Sequence, residues 1–306
     1  MRYTLCFEST ARTNREIIMS VHHCGKSKQY RAQVAAILML ALTTFCACSN
    51  ASDQAPELKF GSVAMDIPAM MHQRLQPLTK YLSEGLGRPV VLKLSPDMDS
   101  AILDIKNGSV DLAYLTPVAY LKAHSTGNAR LLVKTITEEQ GSFKLMIAVK
   151  EDSPIKSITD LKGKTFAFGD RAALLQRAVV VGAGIKLEEF QDYKFIGHYD
   201  NIVRGVLNGD FDAGILKDTK AYRWQGKGIR IIYTSPELPP YNFSVSENVN
   251  DEVFKKLKAL FLGLNDGDPR HLAIIHAVDD KYTGFAWVND EEYDIVRKLV
   301  KPFELP

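Results

Sequence analysis

The sequence predicts an α/β protein built in two lobes. Short apolar runs alternate with amphipathic stretches, and that alternation restarts once near the middle of the chain. Of 306 residues, 47 precede Cys48 and 259 follow from it, more than a single core usually holds. Strands spaced by helices are the pattern of βαβ units, which give largely parallel sheets covered on both faces.

LKFGSV at 58–63 reads as the first strand. Asp66 followed by Pro68 marks a helix start, a cap residue with proline just inside the first turn. Met71, Leu75, Leu78 and Leu82 recur at three- and four-residue steps, and Gly85 and Gly87 close that helix. A strand at 90–94 leads into a helix carrying Ile102, Leu103 and Ile105, then the turn Asn107-Gly108. Short apolar strands follow at 112–115, 131–136 and 145–149. The pattern restarts with a strand at 165–168, a helix near 174–181, a strand at 193–196, a helix at 202–207, and strands at 213–216 and 229–233. Past Pro239-Pro240 come a strand at 243–245 and two terminal helices, one through Val253, Leu257, Leu260, Phe261 and Leu264, the other through Tyr293, Val296, Leu299 and Val300.

The first 47 residues read as a leader. VAAILMLALTTFCAC at 34–48 is apolar, too short to span a bilayer comfortably, and preceded by Lys26, Lys28 and Arg31, which is the plan of a secretory signal peptide. Residues 1–18 carry Glu8 and Glu16, unlike a signal n-region, so Met19 is read as the start. Phe45-Cys46-Ala47-Cys48 resembles a bacterial lipobox, with Cys48 as the lipidated first residue of the mature chain and 48–56 as a polar tether. All four cysteines lie in this leader region, which excludes structural disulfides and thiol chemistry from the body. The leader holds six basic and two acidic residues; removing that +4 from the formal +2 leaves the body at −2. A mildly acidic body argues against nucleic acid as a partner.

Four stretches, LQPLTKYLSEGLGRPV (75–90), NGSVDLAYLTPVAYL (107–121), SPIKSITDLKGKTFAFGD (153–170) and FIGHYDNIVRGVLNGDFDAG (195–214), resemble, in order, the phosphate/phosphite/phosphonate-binding group of ABC-transporter solute-binding proteins. The resemblance implies the type II periplasmic-binding-protein fold: two mostly parallel sheets flanked by helices, joined by two crossing strands near 145–149 and 242–245. Residues 57–146 with 244–306 would form one lobe and 147–243 the other. It further implies a monomer at the cell envelope, without cofactor, metal or catalytic residues, passing a small anionic ligand to a permease. The same lobes would also serve a sensor partnering a membrane receptor kinase, or an enzyme on the same fold.

Ligand crevices of open parallel sheets lie beyond the carboxyl ends of the strands, where helix N-termini suit anions. The loops that qualify offer Met65, Asp66, Tyr114, Thr116, Asp170, Arg171, His198, Tyr199, Asp200 and Lys217 as ligand contacts. Structural alternatives stand beside them: Tyr114 and Tyr120 as core aromatics, Thr116 and Asp200 as helix caps, Arg171 and Lys217 as solvated surface charges. Relatives usually continue the third motif with Ser-Thr-Ser-Gly, a hydroxyl cradle for the oxyanion. Here Phe168-Gly169-Asp170 passes into Arg171-Ala172-Ala173-Leu174-Leu175, so a simple phosphonate is not the expected ligand, and Arg171 could substitute as a bidentate fork. In the fourth motif Tyr199 stands where relatives place histidine, with His198 one position earlier. His72, His124, His271 and His276 show no metal spacing, Gly182-x-Gly184 is not a dinucleotide fingerprint, and no P-loop, HExxH or GxSxG occurs.

Overall fold

The computed structural model describes residues 56–63 and 68–303. The leader, with Cys48, and the loop holding Met65 and Asp66 lie outside the described residues.

The first half builds β1 (Leu58–Val63), α1 (Pro68–Leu86), β2 (Val90–Ser95), α2 (Met98–Lys106), β3 (Leu112–Leu115), α3 (Pro117–His124) and β4 (Ala129–Thr137). The middle builds β5 (Leu145–Lys150), β6 (Thr165–Phe168), α4 (Leu174–Gly182), β7 (Asp192–Phe195), α5 (Tyr199–Asn208), β8 (Ala213–Lys217), α6 (Asp218–Trp224) and β9 (Ile229–Thr234). The chain ends with β10 (Asn242–Ser246), α7 (Asp251–Gly263), α8 (Pro269–His276), β11 (Tyr282–Ala286) and α9 (Asp294–Val300).

Two sheets result, one ordered β11-β4-β10-β3-β1-β2 and the other β7-β6-β8-β5-β9. They share one plan. In each, the first and second βα units pair in parallel, and one antiparallel strand is inserted between the third and fourth strands: β10 between β3 and β4, β5 between β8 and β9. The two-lobed α/β arrangement expected from the sequence is therefore the one observed. β11 extends the first sheet antiparallel to β4, and the sequence reading passed over both it and α8.

The chain changes sheets at 138–144 and 235–241, a few residues before the strands at 145–149 and 242–245 that the resemblance suggested. Those two strands instead lie wholly inside one sheet each. The crossing segments pair with each other, Phe143 and Leu238 exchanging both backbone hydrogen bonds at 2.9 and 2.8 Å. A two-residue turn opens the first crossing: Glu138 and Glu139 take φ of 48° and 65°, and Thr137 and Gln140 exchange backbone hydrogen bonds around them.

Helix faces explain the layers. On α1 the buried residues are Met71, Leu75, Leu78 and Leu82, the stripe the spacing predicts. Gly85 stays inside that helix instead of ending it: a Cβ there would stand 2.3 Å from Leu260 Cδ2, so its absence lets α7 approach. Gly87, at φ 68°, makes the actual exit. One hydrophobic cluster runs through both halves of the molecule, joining Leu115 and Tyr120 to Phe166, Val179, Val296 and Val300. The terminal helix α9 makes this connection by packing on both α4 and α3, so the last residues do not belong to the first lobe alone.

Candidate ligand-binding cleft

The carboxyl ends of β1, β2, β3, β6 and β7 deliver their loops to one region, as parallel-strand geometry requires. A cavity of about 400 Å³ lies there. Four helix starts border it: Asp97 and Met98 at α2, Thr116 to Val118 at α3, Ala172 to Gln176 at α4, and Tyr199 at α5. Ser62, Val63, Phe143, Leu145 and Tyr241 complete the wall, and no lysine, arginine or histidine is among the described residues that line it. Tyr114, Phe143, Tyr199 and Tyr241 also line a second compartment of about 690 Å³, whose charged residues are Arg74, Lys217, Lys220, Asp279, Asp280 and Lys281. These four aromatic residues border both chambers.

Each polar wall residue is held by a specific bond. Thr116 caps α3, accepting from Ala119 N at 3.1 Å, while Pro117 removes one N–H from the first turn. Asp97 caps α2, accepting from Ser100 N at 2.8 Å; that backbone bond holds its carboxyl below the usual range. Asp170 accepts from Ala172 N at 2.8 Å at the start of α4. Behind the wall, buried Gln176 accepts from Gly169 N at 2.8 Å and donates to the Tyr199 hydroxyl at 3.3 Å. Burial pushes the Tyr199 phenol up to about 12, an effect the Gln176 bond opposes. A side chain at Gly169 would come within 2.8 Å of Gln176 Nε2 and 3.0 Å of the Gly197 carbonyl oxygen, so only glycine fits this approach.

The structure places the expected contacts unevenly. Tyr114, Thr116, Asp170 and Tyr199 line the inner cavity, and Lys217 lines the outer one. Tyr114 is also a core residue, 7% exposed, stacked on Tyr241 at 5.2 Å and hydrogen-bonded to the Tyr282 hydroxyl; the pocket and core alternatives are both met. Tyr120 is purely structural, fully buried with its hydroxyl donating to Asp290 at 2.6 Å. Arg171 is not part of the cleft wall: it is exposed, with its guanidinium 4.9 Å over the Phe195 ring on an adjoining open depression, so it makes no fork into the cavity. His198 is exposed in the N-cap position of α5, and no side-chain cap bond forms. Asp200 pairs with Lys220 at 2.6 Å, which holds its carboxyl below the usual range, and it does not cap the helix.

Phe143, Gln176 and Tyr241 were missed. Phe143 and Tyr241 sit in the crossing segments, which carry no strand or helix periodicity, and Gln176 looks like any polar helix position. The one signal was Pro239-Pro240, which fixes the backbone just before Tyr241.

Two α/β lobes of common topology, with one cleft walled from both, define a bilobed solute-binding protein. Residues 60–293 match the family described as the phosphonate periplasmic substrate-binding protein of ABC transporters, and the chain belongs to that family. The phosphate-import protein PhnD of Mycolicibacterium smegmatis is 24% identical over 256 residues, covering 73% of this chain and 78% of that one. Among solved structures, XAC2383 from Xanthomonas citri bound to ATP aligns with a TM-score of 0.67 at 19% identity, over 81% of this chain and 96% of that one. PhnD1 from Prochlorococcus marinus in complex with methylphosphonate aligns with a TM-score of 0.63 at 19% identity, over 82% and 99%. At such identities these structures support the fold alone. Family and relatives are transporter components, and no helix among the described residues is long and apolar enough to cross a membrane.

Proposed function

We propose that the protein captures a small anionic solute of the phosphate or phosphonate class in the cleft and delivers it to an ABC permease, tethered to the membrane through lipidated Cys48. The observation that carries this reading is the shared wall: Tyr114 and Thr116 come from the six-stranded side, Ala172, Gln176 and Tyr199 from the five-stranded side, and all line one cavity. A solute touching both sides binds the closed arrangement better than the open one, and that differential affinity drives closure. The family and the phosphate-import relative support the phosphate or phosphonate class. The loop at 169–173 offers no hydroxyl, so inorganic phosphate and methylphosphonate lack the two or three charged-group hydrogen bonds that a Ser/Thr cradle provides.

A thermal-shift screen of phosphates, phosphonates and related anions tests the reading. A cognate ligand at 100 times its dissociation constant adds about 2.7 kcal/mol, which raises the melting temperature of a protein of this size by roughly 5–10 °C. No shift with any member of the class would refute it. The tether is tested separately. Cys48→Ser should release the protein from membranes, because stable anchoring takes at least two acyl chains. An unmodified mature N-terminus beyond Cys48, found by mass spectrometry, would refute the tether.

A further inference from the structure

Among the described residues, the cations of the cleft and its main apolar surface lie in different chambers. The inner chamber is walled by Val63, Met98, Val118, Leu145, Leu174 and Leu175, together with the aromatic residues, and no cationic side chain lines it among the described residues. Its helix starts offer less positive potential than their number implies. Asp97 already caps the first turn of α2, Asp170 accepts from Ala172 N in the loop that leads into α4, and Thr116 with Pro117 uses up donors at α3. Two carboxylates on a wall that carries no cation among the described residues disfavour a phosphoryl group there. At about 400 Å³ the chamber falls in the range of roughly 300–1,000 Å³ that accepts organic molecules.

The cation sits at the boundary. Lys217, at the carboxyl end of β8, is half-buried, and its ammonium stands 5.4 Å over the Phe143 ring, which lines both chambers. It makes no ion pair among the described residues. The adjacent Asp218 carboxylate is committed to the backbone, accepting from Lys144 N at 2.7 Å and Thr219 N at 2.8 Å. Burial lowers the Lys217 ammonium below the ordinary lysine range, the condition that an incoming anion would relieve.

We infer that the cleft is built for an organic phosphonate or phosphate ester carrying a bulky apolar or aromatic substituent, its anionic head at Lys217 and its substituent in the inner chamber. This inference rests on the phosphate/phosphonate-class reading above and narrows it. Small members of the class leave the inner chamber empty; larger ones bury apolar area there.

Calorimetry of the full chain with inorganic phosphate, methylphosphonate and phenylphosphonate tests it. Phenylphosphonate should bind ~30-fold tighter than methylphosphonate, the gain expected from burying the additional ring carbons. Val118→Phe, which narrows the inner chamber, should abolish that preference by weakening phenylphosphonate. Lys217→Gln should weaken both phosphonates at least ~10-fold, the loss of one charge-assisted contact, and Lys217→Arg should restore most of it. Melting curves without ligand establish that each variant is folded. Methylphosphonate or phosphate binding as tightly as phenylphosphonate would overturn the inference and leave the class reading intact. Unchanged affinity in folded Lys217→Gln would overturn the placement of the head group, and with it the inference. No binding of any of the three would overturn the class reading and the inference together.

Discussion

Gln176→Leu should destabilise the protein and loosen Tyr199 at once, because one side chain satisfies two groups. Its carbonyl accepts from the buried Gly169 N–H at 2.8 Å, and its amide donates to the Tyr199 hydroxyl at 3.3 Å. Leucine has nearly the same volume, so the loss is polar rather than a cavity. Leaving the Gly169 donor unpaired costs about 1–3 kcal/mol, and the longer bond to Tyr199 adds about 0.5–1 kcal/mol. A total near 2–3 kcal/mol lowers the melting temperature by roughly 5–10 °C. Tyr199→Phe alone loses only the second bond. The double variant should then cost less than the sum of the two by about 0.5–1 kcal/mol. Urea unfolding followed by circular dichroism gives all three values. Spectrophotometric titration supplies a second readout: the Gln176 bond opposes the rise caused by burial, so the Tyr199 phenol should titrate higher in Gln176→Leu than in the parent protein. Strict additivity, or a cost below ~0.5 kcal/mol for Gln176→Leu, would refute the idea that Gln176 positions Tyr199.

Three other perturbations have definite signs. Tyr114→Ala should cost about 3–5 kcal/mol without ligand, since this ring packs on Tyr241 and Phe243 as well as facing the cleft; an unchanged melting curve would show that it only lines the cavity. Both carboxylate oxygens of Asp290 accept from Arg297 Nη2, at 2.6 and 2.7 Å, and one also accepts from the Tyr120 hydroxyl; burial alone would raise its carboxyl, but these bonds outweigh it and hold it below the usual range. The unfolded chain then binds more protons at this group. Its stabilisation is therefore present above the unfolded value and lost as pH falls below about 5 through the lowered one, and Asp290→Asn should flatten that part of the acid unfolding curve. With the carboxylate 42% exposed, the effect at neutral pH is discounted to about 1 kcal/mol. Finally, Glu138→Asn with Glu139→Gly should raise stability by about 0.5–1 kcal/mol in thermal unfolding, because both positions hold left-handed backbone in a type I′ turn that favours Asn-Gly; a loss of stability would refute the strain.

How much of this was legible depended on whether a residue's role shows in local pattern. Strands covered on both faces, such as LAYL at 112–115 with all four residues buried and TFAF at 165–168 with its last three buried, were readable as short apolar runs. The stripe of α1 was readable from its spacing, and the two-lobed plan from the restart. β11 was not, because Tyr282-Thr283-Gly284-Phe285-Ala286 carries a glycine and an irregular register against β4, so its strand character comes from its partner. The turn at Glu138-Glu139 escaped for the opposite reason: the residues there give no turn signal and adopt the conformation against their preference.

The cleft shows the same division. Tyr114, Thr116, Tyr199 and Lys217 could be named because they end strands or begin helices, positions that topology alone aims at a crevice. Arg171 followed the same rule and was misplaced, since Phe195 on the neighbouring strand offers the guanidinium a ring at 4.9 Å and no local pattern announces a pairing across 24 positions in sequence. Gln176, Phe143 and Tyr241 acquire their roles only from groups distant in sequence. Charge placement is likewise a tertiary property. The sequence shows a cation at 217 and aspartates at 97 and 170, but only the fold puts the aspartates on the wall of a chamber without cations and leaves the lysine beside Phe143 at its boundary. That separation is what distinguishes a cleft for a substituted anion from one for a bare oxyanion: a bare oxyanion is favoured where donors converge on one point, whereas here the apolar inner chamber and the cations of the outer one meet only at residues that line both, Phe143 among them.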